Sequence, residues 1–189
     1  MRKRYGIVLV AVVMLCVGAM GASAQLRLDM DVNVPVYFGY STGGVSDGAW
    51  NQYFIPFPDA RLAYQFGGGL IDGGIGVRVF SFIIENILYP EAFIELNIDR
   101  VTFSLSLGGL AFLEFGLLTT ALQESGINTL SGFHDVILPD LNVAFRVNDW
   151  FRLGGGVFMI APFSHGLGGP LDNFVFTGYI NARFVVMFK

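Results

Sequence analysis

Past its first two dozen residues, this 189-residue chain has no run both apolar and uncharged for the roughly 20 residues a helical membrane span needs. The nearest candidate, residues 153–171, carries no acid, Lys or Arg, but many glycines, Pro162 and Pro170 break it. Charge is scarce: 14% of residues are charged, against about 25% in an average soluble domain. Cys16 is the single cysteine, and His134 and His165 are the only histidines. That supply argues against a disulfide framework and against a metal centre. No basic surplus exists either. The formal charge is −4, which argues against a nucleic-acid partner.

What is abundant is hydrocarbon. The chain is 53% hydrophobic, with 25 glycines and 19 phenylalanines, and its mean hydropathy is +0.59. A membrane-like composition without helical spans leaves the closed β-barrel, which pairs every backbone group without water.

The first residues read as a secretory signal. Arg2, Lys3 and Arg4 form a basic start, residues 7–17 an apolar core, and Ala22-Ser23-Ala24 a small-x-small cleavage site. The expected division is residues 1–24 as a removed signal peptide and 25–189 as one barrel domain. A retained anchor is the alternative. A lipoprotein site at Cys16 is disfavoured by the bulky Leu15 before it. Cleavage after Ala24 removes three basic residues, takes the formal charge from −4 to −7, and leaves no cysteine.

From Gln25 the pattern changes to strict alternation. Leu26, Leu28, Met30, Val32, Val34, Val36, Phe38 and Tyr40 fall on one face; Arg27, Asp29, Asp31 and Asn33 fall on the other. Successive strand residues point to opposite faces, so the apolar set faces lipid and the ionic set a lumen. At 16 residues the run exceeds the roughly 9–11 that cross a bilayer as a tilted strand. A one-residue slip would turn Arg27 into hydrocarbon, at about 2–4 kcal/mol at the midplane.

The same rhythm recurs at residues 59–66, 75–79 (where the strand continues to 84 without a clear phase), 91–98, 101–112, 141–147, 151–160 and 174–188. Together these predict an all-β, eight-stranded, antiparallel up-and-down transmembrane barrel. Tight turns are expected at residues 67–74, Asp99-Arg100 and Asn148-Asp149, and long loops at 41–58, 113–138 and 162–172, with a shorter link at 85–90. Short and long connections alternate, as periplasmic turns and outer loops do. Around Phe80–Ile84 both faces are apolar, so a β-bulge or aromatic filling of the lumen is expected there.

The lumenal face is expected to hold Arg27, Asp29, Asp31, Asp59, Arg61, Arg78, Glu95, Asp140, Arg146, Arg152 and Arg183. These could form a polar conduit. The favoured alternative is a plug of mutually satisfied ion pairs, because an eight-stranded interior is just wide enough for side chains to fill. Trp50, Tyr53, Phe54 and Phe133 fall in predicted outer loops. They serve either as a contact surface or as residues folded back onto the rim and headgroups.

The last strand places Ile180, Ala182, Phe184, Val186 and Phe188 at every second position. It resembles the terminal strand by which the barrel-assembly machinery recognises bacterial outer-membrane proteins, with Lys189 as a departure from the usual terminal aromatic. By pattern, residues 25–189 resemble the small eight-stranded outer-membrane proteins of the OmpX, OmpW and OmpA-membrane-domain kinds. That resemblance implies a monomeric barrel in the bacterial outer membrane, surrounded by lipid and without a cofactor. It also implies one of two roles: passage of a small hydrophobic solute, as for OmpW-like proteins, or a surface role towards a host ligand, as for OmpX-like ones. An outer-leaflet lipid-modifying enzyme is a third reading. The His-x-Ser-Asn signature of lipid A deacylases is absent at both histidines, so no catalytic residue is assigned. A secreted soluble barrel would need the opposite distribution, apolar inside and polar outside.

Overall fold

The computed structural model describes residues 25–42, 45–82, 84–125, 130–162 and 173–188. The predicted signal peptide with Cys16, the loop bearing His165, and Lys189 lie outside them.

Among the described residues, nine strands form one antiparallel sheet: β1 (Gln25–Thr42), β2 (Val45–Trp50), β3 (Phe57–Gly67), β4 (Ile71–Ser81), β5 (Glu85–Ile98), β6 (Val101–Gly116), β7 (Gly132–Arg146), β8 (Phe151–Pro162) and β9 (Asn173–Phe188). Eight of them close a barrel, each pairing with its neighbour in sequence and β9 returning to β1. The ninth, β2, pairs with the upper end of β1 and continues its edge above β3. A short helix, α1 (Leu117–Glu124), lies between β6 and β7.

The alternation sorts as expected. On β5, Ile94 is 52% exposed while its neighbour Glu95 is fully buried. Met30, Leu62, Ile75, Leu105, Leu141 and Ile180 continue the exposed apolar belt, and the ionic residues turn inward. This distribution excludes the soluble alternative, which would bury the apolar set.

Several boundaries differ from the sequence reading. The glycine-rich turn is shorter, because β4 begins at Ile71. Residues 85–90, expected as a link, are strand, so only 82–84 join β4 to β5. The region 113–138 is largely ordered as the end of β6, α1 and the start of β7. Outer ends of strands that rise past the bilayer no longer need one apolar face, so alternation fades there while pairing continues.

A bulge on β1 has a larger effect. Pairing with β9 skips Val36: Pro35 faces Tyr179, and Tyr37 faces Gly178. The bulge reverses the phase of the strand. Phe38, assigned to the lipid face by simple alternation, pairs with Thr177 and lines the upper lumen.

Candidate functional site

The lumen has two storeys. The lower one is ionic. Arg27 donates to both oxygens of Glu95, at 2.8 and 2.9 Å, and through Nε to Asp29 at 2.6 Å. Arg61 donates through Nε to the other Asp29 oxygen at 3.0 Å. Arg152 reaches Glu95 at 3.1 Å. Arg183 donates to Asp31 at 2.7 Å, and Asn181 does so at 2.9 Å. Above them Arg78 joins Asp59 and Asp140, each at 2.7 Å. Paired charges satisfy one another in a space that water cannot serve.

Glycines make room for the rings inside. A Cβ on Gly74 would lie 2.4 Å from the Phe93 ring, and one on Gly108 would lie 2.5 Å from the Tyr89 ring. Only glycine lets these aromatics lie flat on the opposite strand. Phe93 in turn carries the Arg61 guanidinium 3.9 Å over its ring centroid, a cation–π contact inside the plug.

The upper storey is apolar, where the sequence reading expects a polar lumen with aromatic filling, at most, around Phe80–Ile84. A cavity of about 340 Å³ lies above the plug. That is the small end of the range for ligand pockets. Phe38, Phe57, Phe80, Leu138, Phe158 and Val175 supply its walls, and Asn33, Arg78, Tyr89 and Tyr179 lie at its floor. Phe80 and Phe158 stack across the lumen from opposite sides of the barrel, with centroids 5.8 Å apart. Aromatic filling, not a bulge, therefore explains the two-sided apolar stretch at Phe80. Phe112 also lines the cavity, against Tyr89 and His134.

Ten of the eleven residues expected in the lumen meet in the plug. Arg146 does not. It sits half-buried at the lower rim and donates to the Asp99 carbonyl in the β5–β6 turn. Alternation set its face correctly, but its height on β7 puts it below the ion pairs. Asn33, already on the polar face of the first strand, also belongs to the two-storey site, as do Tyr89, Glu91, Phe93, Asn142, Tyr179 and Asn181, which were not among the candidates. Each shares the lumenal phase, which was the available signal.

The outer candidates do not converge. Trp50 lies edge-on to Tyr37 at 5.4 Å, while Tyr53 and Phe133 are 83% and 90% exposed. His134 bonds the Leu130 carbonyl through Nε2. On β9, Phe184 packs against Phe151 and Trp150 on the outer face, and Phe188 pairs with Leu26. Ile180 and Val186 belong to the same exposed face.

The chain is a closed antiparallel ring of eight strands, ionic in the lower lumen, apolar in the upper lumen and apolar outside. No protein-family model matches the chain, and no curated protein matches it in sequence. Two solved structures are similar to it at 10% identity. Neisserial surface protein A (NspA) is matched over 86% of this chain and 98% of that one, with a TM-score of 0.41. The outer membrane protein OprG from Pseudomonas aeruginosa is matched over 86% and 96%, with a TM-score of 0.34.

Proposed function

We propose that this barrel resides in a bacterial outer membrane and takes small hydrophobic molecules into its upper lumen. The observation that carries this reading is the apolar cavity seated on a closed ionic floor. Such a chamber holds an apolar solute and offers no axial way through. The wall beside it is the alternative path. Pairing of β5 with β6 breaks between Leu88 and Glu91, and pairing of β6 with β7 breaks between Gly109 and Ala111. Tyr89, Phe112 and Val136, which line the cavity, lie in that interrupted band. On the same reading, the β9 face ending in Phe188 is the segment engaged by the assembly machinery.

The experiment is binding of octane to the full chain in lipid nanodiscs, corrected for partition into empty discs. Leu138 and Ile87 line the cavity, so Leu138→Trp and Ile87→Trp fill it. The expected result is saturable binding, weakened at least tenfold by either substitution. Non-saturable partition, or binding indifferent to both variants, overturns the reading.

A second reading, a surface protein acting through its outer connections, is favoured by the exposure of Trp50, Tyr53 and Phe133. Its test is whether alanine at these three positions abolishes adhesion of cells bearing the protein to a host surface.

A further inference from the structure

Where the two storeys meet, hydrogen-bond acceptors outnumber donors. Among the described residues, Asn33 Oδ1, Asn142 Oδ1, both Glu91 oxygens and the Tyr89 hydroxyl have no hydrogen-bond partner. All four residues are more than nine-tenths buried. Four of these five atoms can only accept; the Tyr89 hydroxyl alone can also donate. The orientation of Asn33 is fixed, since its amide nitrogen donates to Asp59 at 2.5 Å and its oxygen must face the other way.

Charge points in the same direction. Above the lower rim the lumen buries Asp29, Asp31, Asp59, Glu91, Glu95 and Asp140 against Arg27, Arg61, Arg78, Arg152 and Arg183. One carboxylate is in surplus. Glu91 is the one without a close partner: its nearest guanidinium nitrogens, on Arg61 and Arg78, are 3.6 Å away. Leaving such a group unsatisfied is costly in a low-dielectric interior.

The placement of these groups couples them to the cavity. Asn33 and Tyr89 belong to its floor beside Arg78, whose guanidinium is already held by Asp59 and Asp140, and Glu91 lies two residues below Tyr89 on the same face of β5. Above stand Phe38, Phe57, Phe80 and Phe158, whose walls suit a hydrocarbon tail and whose ring faces favour a cation over an anion.

We infer that the cavity selects an apolar molecule with a primary ammonium head, seated among Asn33 Oδ1, the Tyr89 hydroxyl and Glu91, its tail among the phenylalanines. The inference rests on the reading of the cavity as a binding chamber and specifies the ligand's chemistry. An ammonium brings three donors and no acceptor and supplies the missing positive charge. A hydroxyl head satisfies part of the same set. A carboxylate head adds acceptors and negative charge where both are in excess, so fatty acids are rejected.

The test is a matched series of octylamine, octanol, octane and octanoate, titrated into the full chain in nanodiscs made of uncharged lipid. Chemical shifts of the Asn33 side-chain amide report occupancy of the floor. Affinity is expected to fall in that order, with octylamine about tenfold tighter than octane, the worth of one charge-assisted hydrogen bond. Glu91→Gln should erase the advantage of octylamine over octane, and Tyr89→Phe should reduce that advantage. Heat-modifiable gel migration establishes that each variant is folded, and the wild-type series stands alone if one is not. Octane binding as tightly as octylamine, or octanoate binding best, overturns the ammonium inference and leaves the chamber standing. Saturable binding of none of the four overturns both.

Discussion

Arg27 and Glu95 face each other as a fork, two parallel hydrogen bonds of 2.8 and 2.9 Å joining residues 68 apart in sequence. Both side chains are almost wholly buried, and Glu95 also faces Arg152 at 3.1 Å. Removing one member of such a pair strands its partner's charge, at about 3–5 kcal/mol. Glu95→Gln is therefore expected to destabilise the barrel by about that amount in a urea titration followed by gel migration. Glu91→Gln should be neutral or stabilising in the same assay, because it removes surplus charge and supplies donors to orphaned acceptors. Equal losses for the two would contradict this account of the plug.

Phe93 and Gly74 test the packing. The added methyl of Gly74→Ala would meet the ring at 2.4 Å and the Tyr64 carbonyl oxygen at 2.8 Å. Overpacking of this kind costs about 1–3 kcal/mol. Phe93→Ala made together with Gly74→Ala should recover part of that loss, and strictly additive losses would show that the ring is not the obstacle.

The ionic floor predicts an electrically silent protein. Purified barrel in a planar bilayer should give no stable, sizeable single channels. Finding them would mean that the network around Glu95 opens.

One carboxylate outside the bilayer makes α1 pH-sensitive. Glu85 accepts from the Thr119 backbone N–H at 3.0 Å and from its hydroxyl, capping the first turn of the helix from the neighbouring strand. Burial pushes its carboxyl up, but the hydrogen bonds from Thr119 prevail and hold it below its ordinary value of 4.5. A carboxyl lowered by folding stabilises fully above its unfolded pKa, and that contribution is lost as pH falls through the folded one. Hydrogen exchange of α1 amides should accelerate below about pH 4, beyond the intrinsic change. Glu85→Gln should flatten this response. An identical pH profile in the variant would remove Glu85 from the role.

The strand count of the ring, its antiparallel order and the inward face of the arginines were legible because lipid enforces a two-residue period more strictly than a soluble core does. Legibility ended where that pressure ended. Nothing local marks Val36 as the residue skipped between Pro35 and Tyr37, so the inward turn of Phe38 was hidden. Which arginine meets which acid depends on register between strands far apart in sequence, as for Arg78 and Asp140. The apolar chamber was half visible, since Phe158, Ile160 and Val175 fall on the phase that carries charges lower down. Reading that face as polar everywhere but around Phe80–Ile84 obscured them.

The last strand is zipped to the first along sixteen residue pairs, from Leu26 with Phe188 to Thr42 with Asn173. Asp31 clasps Asn181 and Arg183 across that seam. Without β9, β1 and β8 are raw edges, open to any other strand and unable to enter hydrocarbon. Strand β9 must therefore be present before closure begins, and a chain lacking residues 177–188 would be left an adhesive ribbon, not a smaller barrel.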